Sequence, residues 1–380
     1  MDIVDRTVIV VGGGIGGLTA ALALVERGIP VAVHERAPEL REIGAGLGLW
    51  PAPLRVLDRL GIGDEVRALA GPWLEAGLRR ADGRFLVRYS VEQFSARLGE
   101  PTIGVHRGEL QALLLRSLAD RATVHTDREL VDLVEHDGVV TARFADGSDA
   151  QGAALIGADG RRSTVRRLLF GDRPLHDCRS VGWRGTATAP PGSDWHERIG
   201  ETWGPGGRFG ILPISGGRVT WYAAAKSLRN GDGIEELQQR FGTWHHPIPE
   251  LIQATDPSNL WWDSLDDRRP MRRWTSGRVG LLGDAAHPMT ADLGQGACQA
   301  ILDAWVLAEE LDRTGDVPTA LRAYERRRRW RAGAVTLVAR GATVGARAEG
   351  RVAVGIRSAL TGLMPPSIML RELELIARGP

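Results

Sequence analysis

Three glycines near the start of the chain have the spacing of a dinucleotide-binding turn. Gly12, Gly14 and Gly17 match G-x-G-x-x-G and follow Thr7–Val11, a β-branched run typical of a buried parallel strand. Such glycines allow a tight bend, bring backbone N–H groups close to a pyrophosphate and let a helix pack closely on a strand. Glu35 ends the next predicted strand, 21 residues after Gly14, where a carboxylate accepts hydrogen bonds from ribose hydroxyls. The pattern predicts a site for FAD or NAD rather than NADP, whose 2′-phosphate would meet like charge.

Two later segments each place a glycine and an aspartate after a predicted strand. Gly157–Arg166 contains Asp159, and Gly280–Pro288 contains Asp284. Asp284 then lies at the carboxyl end of a strand, where ligands bind in open α/β sheets. Gly294-Gln295-Gly296 begins the next predicted helix, and a helix N-terminus favours a phosphate group. Each segment alone is better explained as a strand and turn with an aspartate cap, so the specific signal is their combination along the chain.

Together these motifs resemble those of the FAD-dependent aromatic hydroxylases, the single-component flavoprotein monooxygenases of the para-hydroxybenzoate hydroxylase type. The resemblance covers residues 5 to about 335 and depends on four features: Gly12–Gly17 with Glu35, His106–Leu110, the Asp159 segment, and the Asp284 segment continuing to Gly296. It implies an FAD site formed by Gly12, Gly14, Ile15, Gly17, Glu35, Arg36, Arg41, Gly46, Arg107, Asp159, Asp284, Gly294, Gln295 and Gly296.

The resemblance also implies roles for these residues. The first turn binds the ADP half of FAD, Arg107 contacts the linker of the flavin, and Asp159 helps to hold both FAD and the passing nicotinamide. Asp284 bonds a ribityl hydroxyl, and Gly294–Gly296 lies against the pyrophosphate and the isoalloxazine. Arg41–Leu47 brings an arginine and bare backbone to the flavin.

The sequence departs from the family pattern at two positions. Ala291 stands where members often have a proline that stiffens the loop beside the reactive face of the flavin, and Leu302 stands where a glutamate is common. The first departure concerns the oxygen site, and the second is a minor change of a helix.

The reaction that the resemblance implies is oxygen transfer. NADH or NADPH reduces FAD, reduced FAD reacts with O₂, and a C4a-hydroperoxyflavin hydroxylates an aromatic or other electron-rich small molecule. The flavin supplies the chemistry, while the protein binds, orients and excludes water. Because the sequence has no second G-x-G-x-x-G turn, we expect the nicotinamide cofactor to bind transiently. No catalytic side chain is indicated, and His245-His246 lacks the neighbours of a metal site.

The order of elements predicts an α/β fold with a Rossmann-like FAD-binding domain, a parallel sheet, an inserted antiparallel sheet domain for the substrate, and C-terminal helices. The segment from Trp183 to Trp274 contains eight of the 12 tryptophans and several stretches in which apolar and polar residues alternate. This pattern is typical of antiparallel sheet. We assign residues 1–72, 98–180 and 271–320 to the FAD-binding domain, 73–97 and 181–270 to the sheet domain, and 321–380 to a helical segment broken at Pro365-Pro366.

Substrate contacts are expected from one face of the inserted sheet, which must cover the flavin. Arg184, Arg208 and Trp221 are the candidates, because an arginine suits a carboxylate or phenolate and a tryptophan stacks on an aromatic ring. A purely structural place in the sheet stays open for each of them.

Composition excludes several other classes of protein. Hydrophobic residues make up 43% and charged residues 25%, as in ordinary globular domains, and a net charge of +1 provides no field for nucleic acid or lipid. Arg326–Arg329 beside Glu325 is expected to be an exposed helix face. The uncharged run Thr7–Val25 contains five glycines, which favours a strand, turn and helix over a membrane span.

We therefore expect a cytoplasmic monomer or homodimer, without stable membrane insertion or bound metal, that acts on a small molecule with O₂. Two other functions stay open on the sequence alone. One is an FAD-dependent reductase or dehydrogenase of the same fold that acts without O₂. The other is a flavoprotein that binds FAD for structure or regulation.

Overall fold

The computed structural model describes residues 6–40, 46–71, 75–195, 199–226, 233–346 and 348–363. The strands, numbered in chain order, are β1 (Val8–Val11), β2 (Val31–His34), β3 (Gly46–Leu49), β4 (Glu75–Arg80), β5 (Phe85–Ser90), β6 (Ile103–His106), β7 (Thr123–His125), β8 (Leu130–His136), β9 (Val139–Phe144), β10 (Asp149–Gly152), β11 (Ala154–Gly157), β12 (His176–Thr188), β13 (Gly200–Gly204), β14 (Gly207–Ile214), β15 (Arg218–Lys226), β16 (Leu260–Asp267), β17 (Thr275–Ser276) and β18 (Val279–Leu281). The helices are α1 (Ile15–Val25), α2 (Pro51–Arg59), α3 (Gly63–Ala68), α4 (Val91–Leu98), α5 (Arg107–Leu118), α6 (Thr164–Phe170), α7 (Gly233–Phe241), α8 (Ile248–Ala254), α9 (Gly296–Arg313), α10 (Val317–Ala346) and α11 (Arg351–Leu363).

A six-stranded sheet of order β17-β18-β11-β1-β2-β7 forms the centre of the molecule. Strand β1 pairs in parallel with β2 on one side and β11 on the other. All four residues of β1 are buried, as expected for an apolar run with no charged position that is covered on both faces. Helix α1 packs against α5 and α9. The predicted α/β fold with a parallel sheet is confirmed.

A two-stranded ribbon connects this sheet to the inserted one. Strands β3 and β6 pair antiparallel, and β3 contacts β12 and β14. The backbone N–H of Gly46 in β3 donates a hydrogen bond to Thr220 Oγ1 in β15 at 2.7 Å. A Cβ at residue 46 would lie 2.1 Å from Thr220 Cγ2, so this approach requires glycine. The ribbon therefore brings one face of the inserted sheet towards the parallel sheet.

The inserted sheet has seven strands in the order β16-β12-β15-β14-β13-β4-β5. The predicted antiparallel pairing holds along this sheet except at one junction, where β4 joins β13 in parallel. That junction arises because the hairpin of β4 and β5 enters from a much earlier part of the chain. The sequence analysis did not predict α7 and α8, which follow β15.

An aromatic cluster fills the space between this sheet and those two helices. It contains Phe209, Trp221 and Phe241 together with other apolar residues of the strands and helices. Trp221 is 1% exposed, stacks on Phe209 with ring centroids 5.1 Å apart, and donates from Nε1 to Thr255 Oγ1 at 2.9 Å. Because side chains alternate along a strand, Thr220 and Tyr222 project to the opposite face, towards the β3–β6 ribbon.

Helix α10 crosses behind the edge of the parallel sheet. Glu325 Oε2 accepts hydrogen bonds from the backbone N–H groups of Trp274 and Thr275, at 2.7 and 3.1 Å. The arginine run of this helix predicts an exposed face on a helix that packs on the FAD-binding domain. Arg326 and Arg327 are exposed, but Arg328 is 0% exposed because it points into the protein. The break expected at Pro365-Pro366 lies outside the described residues.

None of the helices in the described ranges combines the length and the hydropathy that crossing a lipid bilayer would demand.

Replacing Trp221 with phenylalanine is expected to reduce the free energy of unfolding by about 1–3 kcal/mol, because it removes buried ring area and the hydrogen bond to Thr255. Trp262→Phe is the matched control on the same sheet, since Trp262 is 56% exposed, and its effect should stay within about 0.5 kcal/mol. Urea denaturation followed by circular dichroism measures both values. Equal effects of the two substitutions would contradict the burial of Trp221.

Candidate active site

The turn after β1 forms one end of a groove along the carboxyl edge of the parallel sheet. Gly12 has φ of +112°, and a Cβ there would lie 2.4 Å from the carbonyl oxygen of Ala158. A Cβ on Gly17 would lie 2.0 Å from the carbonyl oxygen of Gly12, so α1 approaches the strand as closely as backbone allows. A Cβ on Gly14, by contrast, would meet no described atom within 4 Å. No side chain caps this helix end, which leaves its N–H groups for an anion.

Glu35 stands at the end of β2, beside this turn. Its Oε2 accepts from the backbone N–H of Gly13 at 2.6 Å, and its Oε1 accepts from that of Ala37 at 3.0 Å. Two backbone donors thus fix the carboxylate, and each oxygen retains a further lone pair for a ligand hydroxyl. Ile15 is buried behind the turn and Arg36 is exposed. Arg41 lies outside the described residues.

Asp159 lies across the groove from that carboxylate, in the turn after β11. Its Oδ2 accepts from the backbone N–H of Val165 at 3.1 Å. Its Oδ1 is buried and has no hydrogen-bond partner among the described residues. Burial raises the pKa of this carboxyl group. A buried acceptor without a partner costs free energy, so this oxygen is suited to receive a donor from a bound molecule.

Asp284 lies in a single helical turn, Gly283–Ala285, after β18. It is open to solvent on one side, yet burial by the surrounding protein raises its pKa, against the opposing charges of neighbouring cations. The loop at Gly294–Gly296 adjoins it, since a Cβ on Gly296 would lie 3.7 Å from Asp284 Oδ1. Gly294 has φ of +60°, the left-handed conformation that lets the chain turn into α9.

Three arginines share this part of the groove. Burial lowers the pKa of Arg184, and the charges of Arg107 and Arg161 lower it further, while Asp263 and Asp284 oppose them. Arg161 hydrogen-bonds to Asp263, whereas Arg184 makes no hydrogen bond with any residue that the structure describes. Three cations thus face two carboxylates, and the excess positive charge suits an anionic group of a bound molecule.

Sequence analysis missed Arg166, which joins two of these loops. Its Nη1 donates to the carbonyl oxygen of Ala285 at 2.9 Å, and its Nη2 donates to that of Arg161 at 2.7 Å. Burial lowers its pKa to about 10. Arg166 is the last residue of the Gly157–Arg166 segment, so its place in that motif could have identified it as a site residue from the sequence.

The three substrate candidates fall on two faces of the inserted sheet. Arg184 and Arg208 lie on the same face of the sheet as Thr220, which is the face towards the β3–β6 ribbon. Their positions alternate along the strands with those of Trp183 and Phe209, whose side chains lie on the other face. The expectation for Trp221 is corrected: it lies in the aromatic cluster under α7 and α8, on the face away from the groove.

One group of possible metal ligands lies at the start of β12. His176, Cys178 and Asp267 have ligand atoms within 4.8 Å of one another. Both oxygens of Asp267 already accept from Arg340, each at 2.6 Å. The guanidinium therefore occupies the place and the charge that a cation would need.

The raised pKa of Asp284 predicts a pH-dependent effect of Asp284→Asn on the apo-protein. An acid whose folded pKa lies above its unfolded value is costly when ionised, so the cost is absent at low pH and fully present above the folded pKa. The variant should therefore melt at a higher temperature than the wild type at about pH 8, with the difference shrinking towards about pH 4.

Melting temperatures of the apo-proteins across this range measure that difference. Asp149→Asn, at an exposed position of β10, is the control and should show no trend with pH. If the melting temperature of Asp284→Asn differs from that of the wild type by the same amount at both ends of the pH range, the pKa of Asp284 is not raised in the folded protein.

The groove's features fit an FAD molecule. The uncapped end of α1 suits the pyrophosphate, Glu35 suits ribose hydroxyls, and Asp159 Oδ1 and Asp284 suit donors of the ligand. A sequence-family model described as FAD binding domain matches residues 5–339.

Three known proteins illustrate the similarity. The aurachin C monooxygenase/isomerase of Stigmatella aurantiaca is 40% identical over 324 residues, which is 84% of either chain. The 3-hydroxybenzoate 6-hydroxylase of Polaromonas naphthalenivorans is 36% identical over 355 residues, 88% of this chain and 87% of that protein. The structure of HpxO from Klebsiella pneumoniae with FAD and uric acid superposes with a TM-score of 0.90 and 29% identity, covering 99% of this chain and 97% of that one. The chain therefore belongs to the FAD-binding family of aromatic hydroxylases and is an FAD-dependent monooxygenase that uses NAD(P)H and O₂.

Proposed function

We propose that this enzyme hydroxylates a planar aromatic or heteroaromatic compound that carries an acidic oxygen, and that Arg184 and Arg208 hold that compound. The observation that carries the proposal is the arrangement of side chains on the groove-facing side of the inserted sheet. FAD, when bound, would carry the reducing equivalents of NAD(P)H to O₂ and activate it. The residues of the chain bind and orient the two reactants.

Two neighbouring rows of residues run across this face. In one row Tyr222 is paired with Arg184 on β12 and with Gly210 on β14. In the next row Ala224 is paired with Gly182 and Arg208 on the same two strands. The tyrosine ring lies across β14, since a Cβ on Gly210 would be 2.1 Å from its Cε1. An aromatic surface is thus flanked by two guanidinium groups.

Arg208 is held rigidly. It is 2% exposed, its Nη1 donates to Glu201 Oε1 at 2.8 Å, and its guanidinium carbon is 5.6 Å from the centroid of the Tyr222 ring. Glu201 balances the charge of Arg208, so Arg184 provides the net positive charge of this face. A guanidinium held in this way donates directional hydrogen bonds to a carboxylate, phenolate or enolate.

An acidic oxygen on the substrate also serves the chemistry. Donors that favour the deprotonated oxygen hold a phenolic or enolic substrate in its anionic form, in which the ring is more electron-rich and reacts more readily with an electrophilic oxygen atom. The names of two similar proteins agree with this class, because uric acid and 3-hydroxybenzoate are planar rings with acidic oxygens.

We also propose the positions that hold FAD. Gly12, Gly14, Gly17 and Glu35 hold the ADP half, and Asp159, Asp284 and Gly294–Gly296 hold the rest. The hydrogen bonds of Glu35, the unpartnered Oδ1 of Asp159 and the free approach to Gly14 support these roles. The domain boundaries, a cytoplasmic location and a monomeric or homodimeric state stay predictions.

The activity is tested with purified holoenzyme under air. A planar phenol, hydroxybenzoate or oxo-purine should stimulate NADH or NADPH oxidation, and its product should contain one atom from isotopically labelled O₂. A panel of such compounds that neither stimulates oxidation nor gains oxygen would exclude the proposed substrate class.

The role of Arg208 is tested in the background of Glu201→Gln, which avoids leaving the half-buried Glu201 carboxylate without its partner. Adding Arg208→Gln should raise KM for the acidic substrate by about tenfold or more, as expected for a lost charge-assisted hydrogen bond, and leave the Kd of FAD unchanged. Trp221→Phe is the control on the opposite face and should leave KM as in the wild type. An unaltered KM in the double variant would remove Arg208 from the substrate site.

A further inference from the structure

We propose that Arg328 is a positioning residue for the flavin: from the middle of the arginine run it orients the side-chain amide of Gln295 and, through Asp303, the loop at Gly283. The inference rests on the proposed role of these two loops in holding FAD. Arg328 differs from its neighbours in the run because it is 0% exposed.

The first arm of the arrangement passes through Asp303, which is also 0% exposed. Arg328 Nε donates to Asp303 Oδ1 at 2.7 Å. The other oxygen, Oδ2, accepts from the backbone N–H of Gly283 at 3.1 Å and lies 2.5 Å from His287 Nε2. The loop that carries Asp284 is therefore tied to α10 through one buried carboxylate.

Burial by itself would raise the pKa of Asp303, but the charges and hydrogen bonds of His287 and Arg328 bring it below its ordinary value. The carboxylate is thus ionised at neutral pH and binds the backbone of Gly283 as a charged acceptor, which is the stronger kind of hydrogen bond.

The second arm is a chain of two amides with a defined direction. Arg328 Nη2 lies 2.7 Å from Gln299 Oε1, and Gln299 Nε2 lies 3.1 Å from Gln295 Oε1. Because a guanidinium only donates, Gln299 must present its oxygen to Arg328. The NH₂ group of Gln299 then faces Gln295 and donates a hydrogen bond to the side-chain oxygen of Gln295.

The consequence is that Gln295 is left with an N–H donor rather than an acceptor at the end of the chain of amides. Its Nε2 is buried and has no hydrogen-bond partner among the described residues. Gln295 stands between Gly294 and Gly296, in the loop that adjoins Asp284. A donor in this place is matched by an acceptor outside the described residues, on the flavin or on a water bound with it.

A purely structural role explains this cluster poorly. Replacing a buried ion pair by packed apolar groups is often neutral or stabilising, so stability alone does not call for charges here. The two arms end at the two loops that border one groove, and the amide arm ends on the unpartnered N–H donor of Gln295 rather than on a packing surface.

The test measures the Kd of FAD for the apo-protein, the visible absorption spectrum of the bound flavin and the melting temperature of the apo-protein. Gln299→Met is the central variant, because it cuts the amide arm while Arg328 keeps Asp303. Arg328→Met cuts both arms, and Arg328→Lys restores the charge without the planar fork. Arg326→Met is the matched control, since Arg326 lies in the same run but is exposed.

We expect Gln299→Met to weaken FAD binding about 3- to 10-fold, the range of one hydrogen bond, and to shift the flavin spectrum. Its apo melting temperature should also fall below that of the control, because Arg328 Nη2 and Gln295 Oε1 lose a buried partner, so the spectrum is the readout that separates positioning from stability. Arg328→Met should weaken binding further, and Arg328→Lys should recover only part of it. An unchanged Kd and spectrum in Gln299→Met would overturn the proposal, and so would a lower apo melting temperature with an unchanged spectrum.

Gln295→Ala separates this inference from the proposed function. If Gln295→Ala weakens FAD binding and Gln299→Met does not, the positioning role of Arg328 fails while the role of the loop stands. If Gln295→Ala also leaves the Kd and the spectrum unchanged, the proposed flavin role of the loop fails and the inference fails with it.

Discussion

The approach of α1 to β1 is the constraint on which the rest of the site depends. The carbonyl oxygen of Gly12 and the Cα of Gly17 are so close that no side chain fits between them, and this contact aims the uncapped end of α1 along the carboxyl edge of the sheet. The carboxylate of Glu35 and the turn at Asp159 then border the same end of the groove, because β2 and β11 flank β1 in parallel register. An anion at this position meets backbone dipoles that need no reorganisation.

Charged groups around the groove are held in states that the protein alone does not favour. Burial raises the pKa of Asp159 and of Asp284 and lowers that of Arg184. Perturbed groups of both signs in one groove are typical of functional sites. A dinucleotide with a flavin has anionic groups that match the arginines and hydroxyl donors that match the carboxylates, which supports the proposed FAD site.

Local motifs were readable from the sequence because their chemistry depends on neighbours in the chain. The glycine turn after β1 and the carboxylate at the end of β2 both appear in the structure where the residues predicted them. Long-range features were not readable. The parallel junction of β4 with β13 requires knowing where an early hairpin returns, and the buried place of Arg328 requires knowing which side of α10 meets α9.

Trp221 shows why strand faces could not be assigned. The segment Arg218–Lys226 has apolar residues at both parities, because α7 and α8 cover one face and the ribbon covers the other. A shift of one residue exchanges Trp221 and Tyr222 between the cluster and the groove. The aromatic residue on the groove side is therefore Tyr222, and only the register of β15 against β12 and β14 distinguishes them.

We propose above that the Gly12 turn and Glu35 bind the adenosine end of the cofactor. Titration of the apo-protein with FAD and with FMN, followed by flavin fluorescence, tests this directly, because FMN has the same flavin but lacks the adenosine half. We expect FAD to bind on the order of 100-fold more tightly, the sum of the ribose and pyrophosphate contacts, and Glu35→Ala to narrow the difference. Equal affinities for FAD and FMN would contradict the account.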